Sequence, residues 1–526
     1  MSYNRPLLDT EILLYASIPD SPFYKESIRI IEENLFSGFF ITDINLIELF
    51  NAQHSSSLEE AFQFIRELTG KAGVTVIKAR SLSELASSPD LVHEVERYSL
   101  NSYDINSYLI ADCMREHDIK VIITYNKKEY EKFEWVNVII PETGGERRSY
   151  LPYSRQSMDE NDIAAVCSVL RSDWLTTGPK VAEFEETFAK FVGARYAICV
   201  SSGTAALHAA MYAVGIGPGD EVIVPSITFS ATANAVVYQG GIPVFADVDE
   251  ETLLIDIAQV EKKITERTKA IIAVDYAGQP CHYDTLHDIA KRHNLALVAD
   301  ACHSLGGEYK GRRVGSLAAL SAFSFHPVKH ITTGEGGMIT TDDPEYASRL
   351  RNFRNHGITS DHHKRKEENS WFYAMVELGY NYRLTDFQCA LGISQLRRLP
   401  AWIERRQEIA GEYDKAFQNI PAVEPLKRRP DVSHAYHLYV VKLKTDLLAQ
   451  DRDMIFSYLR ARDIGVNVHY IPVHLHPFYQ KRFGTSEGLC PVAEKVYNQI
   501  ISLPIFPDMK KEDNVRVVSA MEHIVH

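Results

Sequence analysis

Phe325-His326-Pro327-Val328-Lys329-His330 decides the reading of this chain, because a lysine in a tight loop stands here between an acid and a run of glycines. Upstream, Ala296-Leu297-Val298-Ala299-Asp300 is an apolar, strand-like run that ends on a carboxylate, and downstream the chain turns through Thr332-Thr333-Gly334-Glu335-Gly336-Gly337. Pyridoxal phosphate chemistry needs an amine that can form an imine and an anion beneath the ring nitrogen. This order of residues suits it.

A third piece would be a phosphate cradle. Ser201-Ser202-Gly203-Thr204-Ala205-Ala206-Leu207 follows the strand-like Ala197-Ile198-Cys199-Val200 and opens an alanine-rich helix, so backbone N–H groups and hydroxyls would face an anion at a helix N-terminus. Taken alone, the same residues read equally as a plain N-cap with small neighbours. Asp300 is costly at the end of an apolar strand unless paired, and a pyridinium proton is a suitable partner; a structural acid capping the next turn is the alternative. Lys329 must be neutral to react although a free lysine titrates near ~10.4, so it needs desolvation or a nearby positive charge. Phe325, Pro327 and the glycines around it argue against an ordinary surface lysine.

Outward from this core, β-rich runs such as Glu221-Val222-Ile223-Val224-Pro225 and Ala270-Ile271-Ile272-Ala273-Val274 alternate with helix-like segments. Continuous apolar strands of this kind predict a mostly parallel sheet covered by helices, hence an α/β fold. A charged amphipathic helix is expected from about Leu396 to Glu412, leading into a smaller C-terminal domain. At the other end, Leu7 to Pro141 alternates short β-like and helical stretches as a small α/β domain, and the polar Glu142-Thr143-Gly144-Gly145-Glu146-Arg147-Arg148-Ser149 reads as a linker. The expected division is 1–141, a linker 142–152, a large domain 153–395 and a small domain 396–526.

The 526 residues are 45% apolar and 24% charged, enough for several packed domains. A net charge of −14 disfavours overall attraction to nucleic acid or anionic lipid and favours small-molecule chemistry. The seven cysteines are scattered without a C-x-x-C pair, which indicates neither a disulfide framework nor a zinc site and fits a cytoplasmic setting. No signal peptide or membrane span is read. His469, His474 and His476 straddle Pro472 and Pro477 with no accompanying carboxylate, so no metal is expected there.

From about Tyr153 to the C-terminus the chain resembles the DegT/DnrJ/EryC1/StrS sugar aminotransferases, within fold type I of the pyridoxal phosphate enzymes. The motifs are Pro152-Tyr153-Ser154-Arg155-Gln156, Ser172-Asp173-Trp174-Leu175-Thr176-Thr177-Gly178-Pro179, Ala277-Gly278-Gln279-Pro280-Cys281, the Ser324 to Gly337 run, and Gly465-Val466-Asn467-Val468-His469-Tyr470-Ile471-Pro472-Val473-His474. They resemble most the branch that makes UDP-4-amino-4,6-dideoxy-N-acetyl-β-L-altrosamine for pseudaminic acid. The resemblance implies that Lys329 bonds the cofactor aldehyde and shuttles protons, Asp300 keeps the ring nitrogen protonated, and His303 bonds the phenolic oxygen. It further implies that Phe229 stacks on the ring, that Gly203, Thr204 and Ser324 bind the phosphate, and that Asn381 reaches the phosphate of a neighbouring subunit, which requires a homodimer. Thr177, His469 and His474 are the implied sugar contacts, L-glutamate the donor and a UDP-linked 4-keto sugar the acceptor. Another nucleotide-linked keto sugar is the alternative substrate. Relatives that dehydrate replace the lysine by histidine; here Lys329 is present, followed by His330. Arg383 and Arg313 are candidates for holding the donor's carboxylates.

The front segment, with Asp9 ending an apolar run and Glu48 on an expected helix, resembles a PIN domain, whose clustered acids hold divalent metal for phosphodiester hydrolysis. Asp104 or Asp112 would be the third acid, giving a possible weak site of Asp9, Glu48 and Asp104 and RNA as a possible partner. Asn126 stands where a fourth carboxylate often lies. The alternatives are a degenerate domain used for association, or a toxin-like nuclease for which the remainder is a dimerising scaffold.

Overall fold

The computed structural model describes residues 5–16, 21, 23–35, 38–52, 66–71, 74–79, 105–141, 150–359, 369–448, 450–460 and 462–525. They fall into two compact units, Met1–Ser149 and Tyr150–His526.

In the first unit, strands β1 (Leu7–Leu8), β2 (Phe39–Thr42), β3 (Val74–Ile77), β4 (Val121–Ile123) and β5 (Asn137–Ile139) form a parallel sheet in the order β3-β2-β1-β4-β5. Side chains alternate across a strand. Leu7 and Ile122 accordingly enter one apolar cluster with Tyr108 and Met114, while Leu8 and Ile123 enter another with Ile12 and Leu49. Covering both faces in this way is the condition under which a parallel sheet is stable.

The second unit is built on β6 (Tyr196–Val200), β7 (Glu221–Pro225), β8 (Ile242–Ala246), β9 (Thr268–Val274), β10 (Ala296–Asp300), the two-residue strands β11 (Glu308–Tyr309) and β12 (Arg312–Arg313), β13 (Leu320–Ser324) and β14 (Gly337–Thr341). Seven of them make one sheet in the order β6-β14-β13-β10-β9-β7-β8. β8, β7, β9, β10 and β13 run parallel, and β14 is antiparallel to both β13 and β6. Register fixes where the chemistry falls. Asp300 pairs with Ala322, Ser324 with Gly337, and Gly337 with Val200. The carboxyl ends of β6, β10 and β13 therefore share one edge, where open α/β sheets place their ligands.

A helix from Asp386 to Phe417 starts in a capping box of Thr385 and Gln388 and runs through Pro400. It begins ten residues before the expected start and carries the chain through the expected junction at 395/396. Leu396 and Leu399 pack into the core of the large sheet, whereas Ile409 and Tyr413 pack into a second core with Val441, Leu459 and Val517. That second core lies on an antiparallel sheet of β15 (Val423–Pro425), β17 (Tyr439–Leu443) and β18 (Ile500–Leu503), while β16 (Val432–Ser433) pairs with β11. Among the described residues, no helix is long and apolar enough to cross a membrane.

Candidate active site

The lysine loop is held by its own backbone. Phe325 N–H donates to Gly336 O at 2.8 Å, Thr333 N–H to Phe325 O at 3.1 Å, and Lys329 N–H to His326 O at 2.9 Å. Ser154 Oγ donates to Val328 O at 3.0 Å. Phe325 is buried against Phe184 and Phe188, with ring centroids 5.4 and 5.7 Å away, which anchors the start of the loop in the core. Of the glycines expected to turn the chain, Gly334 does so at φ +79°, while Gly337 begins β14.

Lys329 Nζ lies 3.2 Å from His437 Nε2. Burial pulls the lysine's pKa below its usual value, and the nearby Cys302 and Asp300 oppose that fall without reversing it. Asp300, 6% exposed, ends β10; its Oδ2 accepts from Thr232 Oγ1 at 2.7 Å. His303 Nε2 lies 3.0 Å from Tyr470 OH, while its buried Nδ1 has no hydrogen-bond partner among the described residues. Burial holds His303, His330 and His437 well below the ordinary histidine value, each with Lys329 as a further positive influence, so these rings are neutral at physiological pH.

Next to this cluster, Ser202 caps the helix Gly203–Ala213 by accepting from Ala205 N–H at 3.0 Å. A Cβ on Gly203 would come within 2.7 Å of Ser324 Cβ, so the helix start presses directly on the end of β13. Gly203, Thr204, Ser324, Asp300, His303 and Lys329 thus converge at one sheet edge. Phe229, 57% exposed at the start of the helix Ser230–Tyr238, presents its ring 5.9 Å from that of Tyr470. His469 belongs to the same neighbourhood, with Nδ1 2.8 Å from Ser502 Oγ and its ring 5.4 Å from Tyr153.

Neither His474 nor Arg313 joins this cluster. His474 is fully buried, with Nε2 2.8 Å from Glu494 Oε1 and its ring against Phe245, so it presents no surface to a substrate. The carboxylate taken to be missing near these histidines is Glu494, twenty residues on, yet among the described residues no three His, Cys, Asp or Glu side chains gather to hold a metal. Arg313 donates to Phe191 O at 2.6 Å and lies on the short strand β12. Thr177, at φ +57°, shares a surface groove with Arg351, Asn355 and Arg383, and Arg383 donates to Asn355 Oδ1 at 2.7 Å. Asn381 is exposed and faces Asn355 through a backbone bridge.

In the first unit, Asp9 is buried at the end of β1. Its carboxylate accepts from Thr10 N–H, Thr124 Oγ1 and Tyr130 OH at 2.8, 2.7 and 2.9 Å, and burial lifts its pKa to about 6. Glu48 accepts from Thr10 Oγ1 and from Asn106 Nδ2 at 2.7 Å. Asp112 pairs with Arg115, and Asp104 lies outside the described residues.

The residues at the sheet edge fit pyridoxal phosphate. A half-buried amine whose pKa is pulled down, a strand-end carboxylate, a glycine–hydroxyl helix start and the Nδ1 of His303, unpartnered among the described residues, are the donor set that this group needs, and together they define a fold type I pyridoxal phosphate site. Comparison with known proteins agrees. The model of the DegT/DnrJ/EryC1/StrS aminotransferase family matches residues 156–522. Spore coat polysaccharide biosynthesis protein SpsC of Bacillus subtilis is 44% identical over 381 residues, 72% of this chain and 98% of that one. Helicobacter pylori PseC, an aminotransferase involved in the biosynthesis of pseudoaminic acid, superposes with a TM-score of 0.67 at 33% identity, covering 72% of this chain and 99% of PseC. The PLP form of the putative sugar aminotransferase Spr1654 from Streptococcus pneumoniae gives 0.66 at 32%, covering 72% and 98%. The chain belongs to the DegT/DnrJ/EryC1/StrS aminotransferase family. It is a pyridoxal phosphate-dependent sugar aminotransferase.

The sequence reading missed His437, Tyr470 and Thr232, which touch Lys329, His303 and Asp300. Only Tyr470 had a local signal, its place beside His469 in the quoted motif.

Proposed function

We propose that this enzyme aminates carbon 4 of a UDP-linked 4-keto-6-deoxy-N-acetylhexosamine with L-glutamate as donor, giving UDP-4-amino-4,6-dideoxy-N-acetyl-β-L-altrosamine. The observation that carries the chemistry is Lys329, half-buried and with its pKa pulled below the usual lysine value, at the edge that also holds Asp300. The choice of sugar rests on the likeness to PseC. Bound at this edge, pyridoxal phosphate supplies an aldehyde that takes up the donor's amino group and a ring that accepts the electron pair released at the reacting carbon. With the cofactor held there, Lys329 would be the group that gives and takes the proton at sugar carbon 4. Asp300, oriented by Thr232, holds the proton on the ring nitrogen, and His303 Nδ1 is free to meet the phenolic oxygen. Gly203, Thr204 and Ser324 bind the phosphate, Phe229 covers the ring, and Thr177 and His469 line the sugar side.

The stronger sequence identity to SpsC keeps a different nucleotide 4-keto sugar as the second reading. Incubating the enzyme with glutamate and several purified 4-keto sugar nucleotides, and determining the product's configuration, separates the two. Faster turnover of another sugar than of the UDP-linked 4-keto-6-deoxy-N-acetylhexosamine sinks the first.

The active unit in this proposal is a homodimer. Trp371, Phe372, Met375 and Leu378 are 87, 63, 63 and 71% exposed just before Asn381, an apolar run that a second copy of the chain would cover. For the first unit we propose a PIN-like module, supported by the parallel sheet and by Asp9 and Glu48 meeting through Thr10, with RNA cleavage as the activity to test and cytoplasmic location as the setting.

A further inference from the structure

The geometry points to His437 as the positioning residue that receives the amine of Lys329 whenever that amine is not bonded to the cofactor. The inference rests on Lys329 being the cofactor-bonding lysine. Nζ and Nε2 lie 3.2 Å apart, close enough for the amine to donate to an imidazole whose Nε2 carries no proton. A lysine stem has four rotatable bonds, so without a fixed partner its nitrogen would sample many positions, and a proton-transfer group loses effectiveness when it strays from its target.

His437 is well suited to be that partner because its backbone is clamped from four sides. Ala435 N–H donates to Gly278 O at 2.9 Å and Leu438 N–H to Ala277 O at 3.2 Å. The buried Arg406 donates Nη1 to Tyr436 O at 3.0 Å and to His437 O at 3.5 Å. His330 Nε2 donates to Ala435 O at 3.1 Å. Gly278, at φ +107°, is required for this approach, since a Cβ there would lie 2.7 Å from Tyr436 N and 3.0 Å from His437 N. Arg406 satisfies carbonyls, its Nη1 also reaching Ile505 O at 3.0 Å, which suits a cation spent on holding a loop. The ring itself packs against His303 at 4.4 Å and His330 at 5.6 Å, and its buried Nδ1 has no hydrogen-bond partner among the described residues, so Lys329 is the contact that its orientation serves.

The test uses the full chain freed of cofactor, with His437→Phe, which keeps a ring and removes the hydrogen bond, and His437→Gln, which restores a polar partner. Pyridoxal phosphate is added, the bond to lysine is fixed by borohydride at timed intervals, and modification of the Lys329 peptide is followed by mass. Thermal unfolding checks that both variants fold. The expected result is that His437→Phe is modified about fivefold to tenfold more slowly, the size of one lost hydrogen bond, with His437→Gln close to wild type. In the holoenzyme, kcat of the glutamate half-reaction should fall by the same factor with KM for glutamate unchanged. Equal modification of His437→Phe and wild type, or equal slowing of both variants, overturns the role of His437. Absence of modification at Lys329 in wild type overturns instead the reading on which it rests.

Discussion

Replacing Gly203 by alanine tests whether the helix start is a built cradle or a plain cap. On helix propensity alone, alanine is better than glycine by about 1 kcal/mol, and less at a helix's first position. The structure opposes that gain. The added Cβ would sit 2.7 Å from Ser324 Cβ and 3.3 Å from Cys302 Sγ, and the Ser324 carbon is fixed to strand β13 and cannot swing aside. Overpacking of this kind costs about 1 to 3 kcal/mol, so the net effect is destabilising by up to about 2 kcal/mol. The relief available is movement of the helix start away from Ser324, which spreads the groups proposed to hold the phosphate. At 1.4 kcal/mol per tenfold, cofactor affinity should weaken by up to about thirtyfold. Titrating cofactor-free Gly203→Ala with pyridoxal phosphate, by absorbance and by thermal shift, measures both quantities. The double variant Gly203→Ala, Ser324→Gly removes the clash and should recover thermal stability while cofactor binding stays weak, because the hydroxyl is gone. Unchanged affinity and raised stability in the single variant would refute the reasoning.

Thr232→Val, which removes the hydrogen bond to Asp300 Oδ2 within the same shape, should weaken cofactor binding about threefold to tenfold in the same titration. Burial pulls His434 and His469 down to about 3, so the unfolded chain binds protons that the folded one refuses. Their contribution is present above pH 6.5 and is lost as pH falls, by about 1.4 kcal/mol per pH unit for each. Asp275 and Asp9, each lifted to about 6 by burial, work in the opposite sense below pH 6, but His303, His330 and His437, held well below the ordinary histidine value, add to the side of His434 and His469. Denaturant melts from pH 7 to 4 should show falling stability, with a flatter slope in His434→Asn. Trp371→Asp with Leu378→Asp should shift the enzyme toward monomer in sedimentation and lower turnover. Asp9→Asn in the full chain should abolish Mg²⁺- or Mn²⁺-dependent cleavage of labelled RNA; cleavage unaffected by that change would exclude Asp9 as a ligand.

What could be read in the sequence was what sits beside a strand end or a glycine turn. Asp300, Lys329 and Gly203 each declared themselves through such a local signal, and the strand register brings them to one edge. His437, Tyr470 and Thr232 did not, because they meet Lys329, His303 and Asp300 across 108, 167 and 68 residues, which no local pattern encodes. His474 was misplaced for the converse reason. It stands in a motif with His469, but Glu494 captures its ring and the core closes over it. The early start of the long helix was legible, since Thr385 and Gln388 have capping-box spacing. Its passage through Pro400 was not, because apolar contacts from Leu396, Leu399 and Ile409 to two cores outweigh the lost backbone bond.

The most direct test of the account is the visible absorbance of the purified enzyme as substrates are added. The wild type should show a band that L-glutamate removes and the keto sugar nucleotide restores, while Lys329→Ala shows neither the band nor turnover. A Lys329→Ala enzyme that keeps the band and continues to aminate the sugar would contradict it.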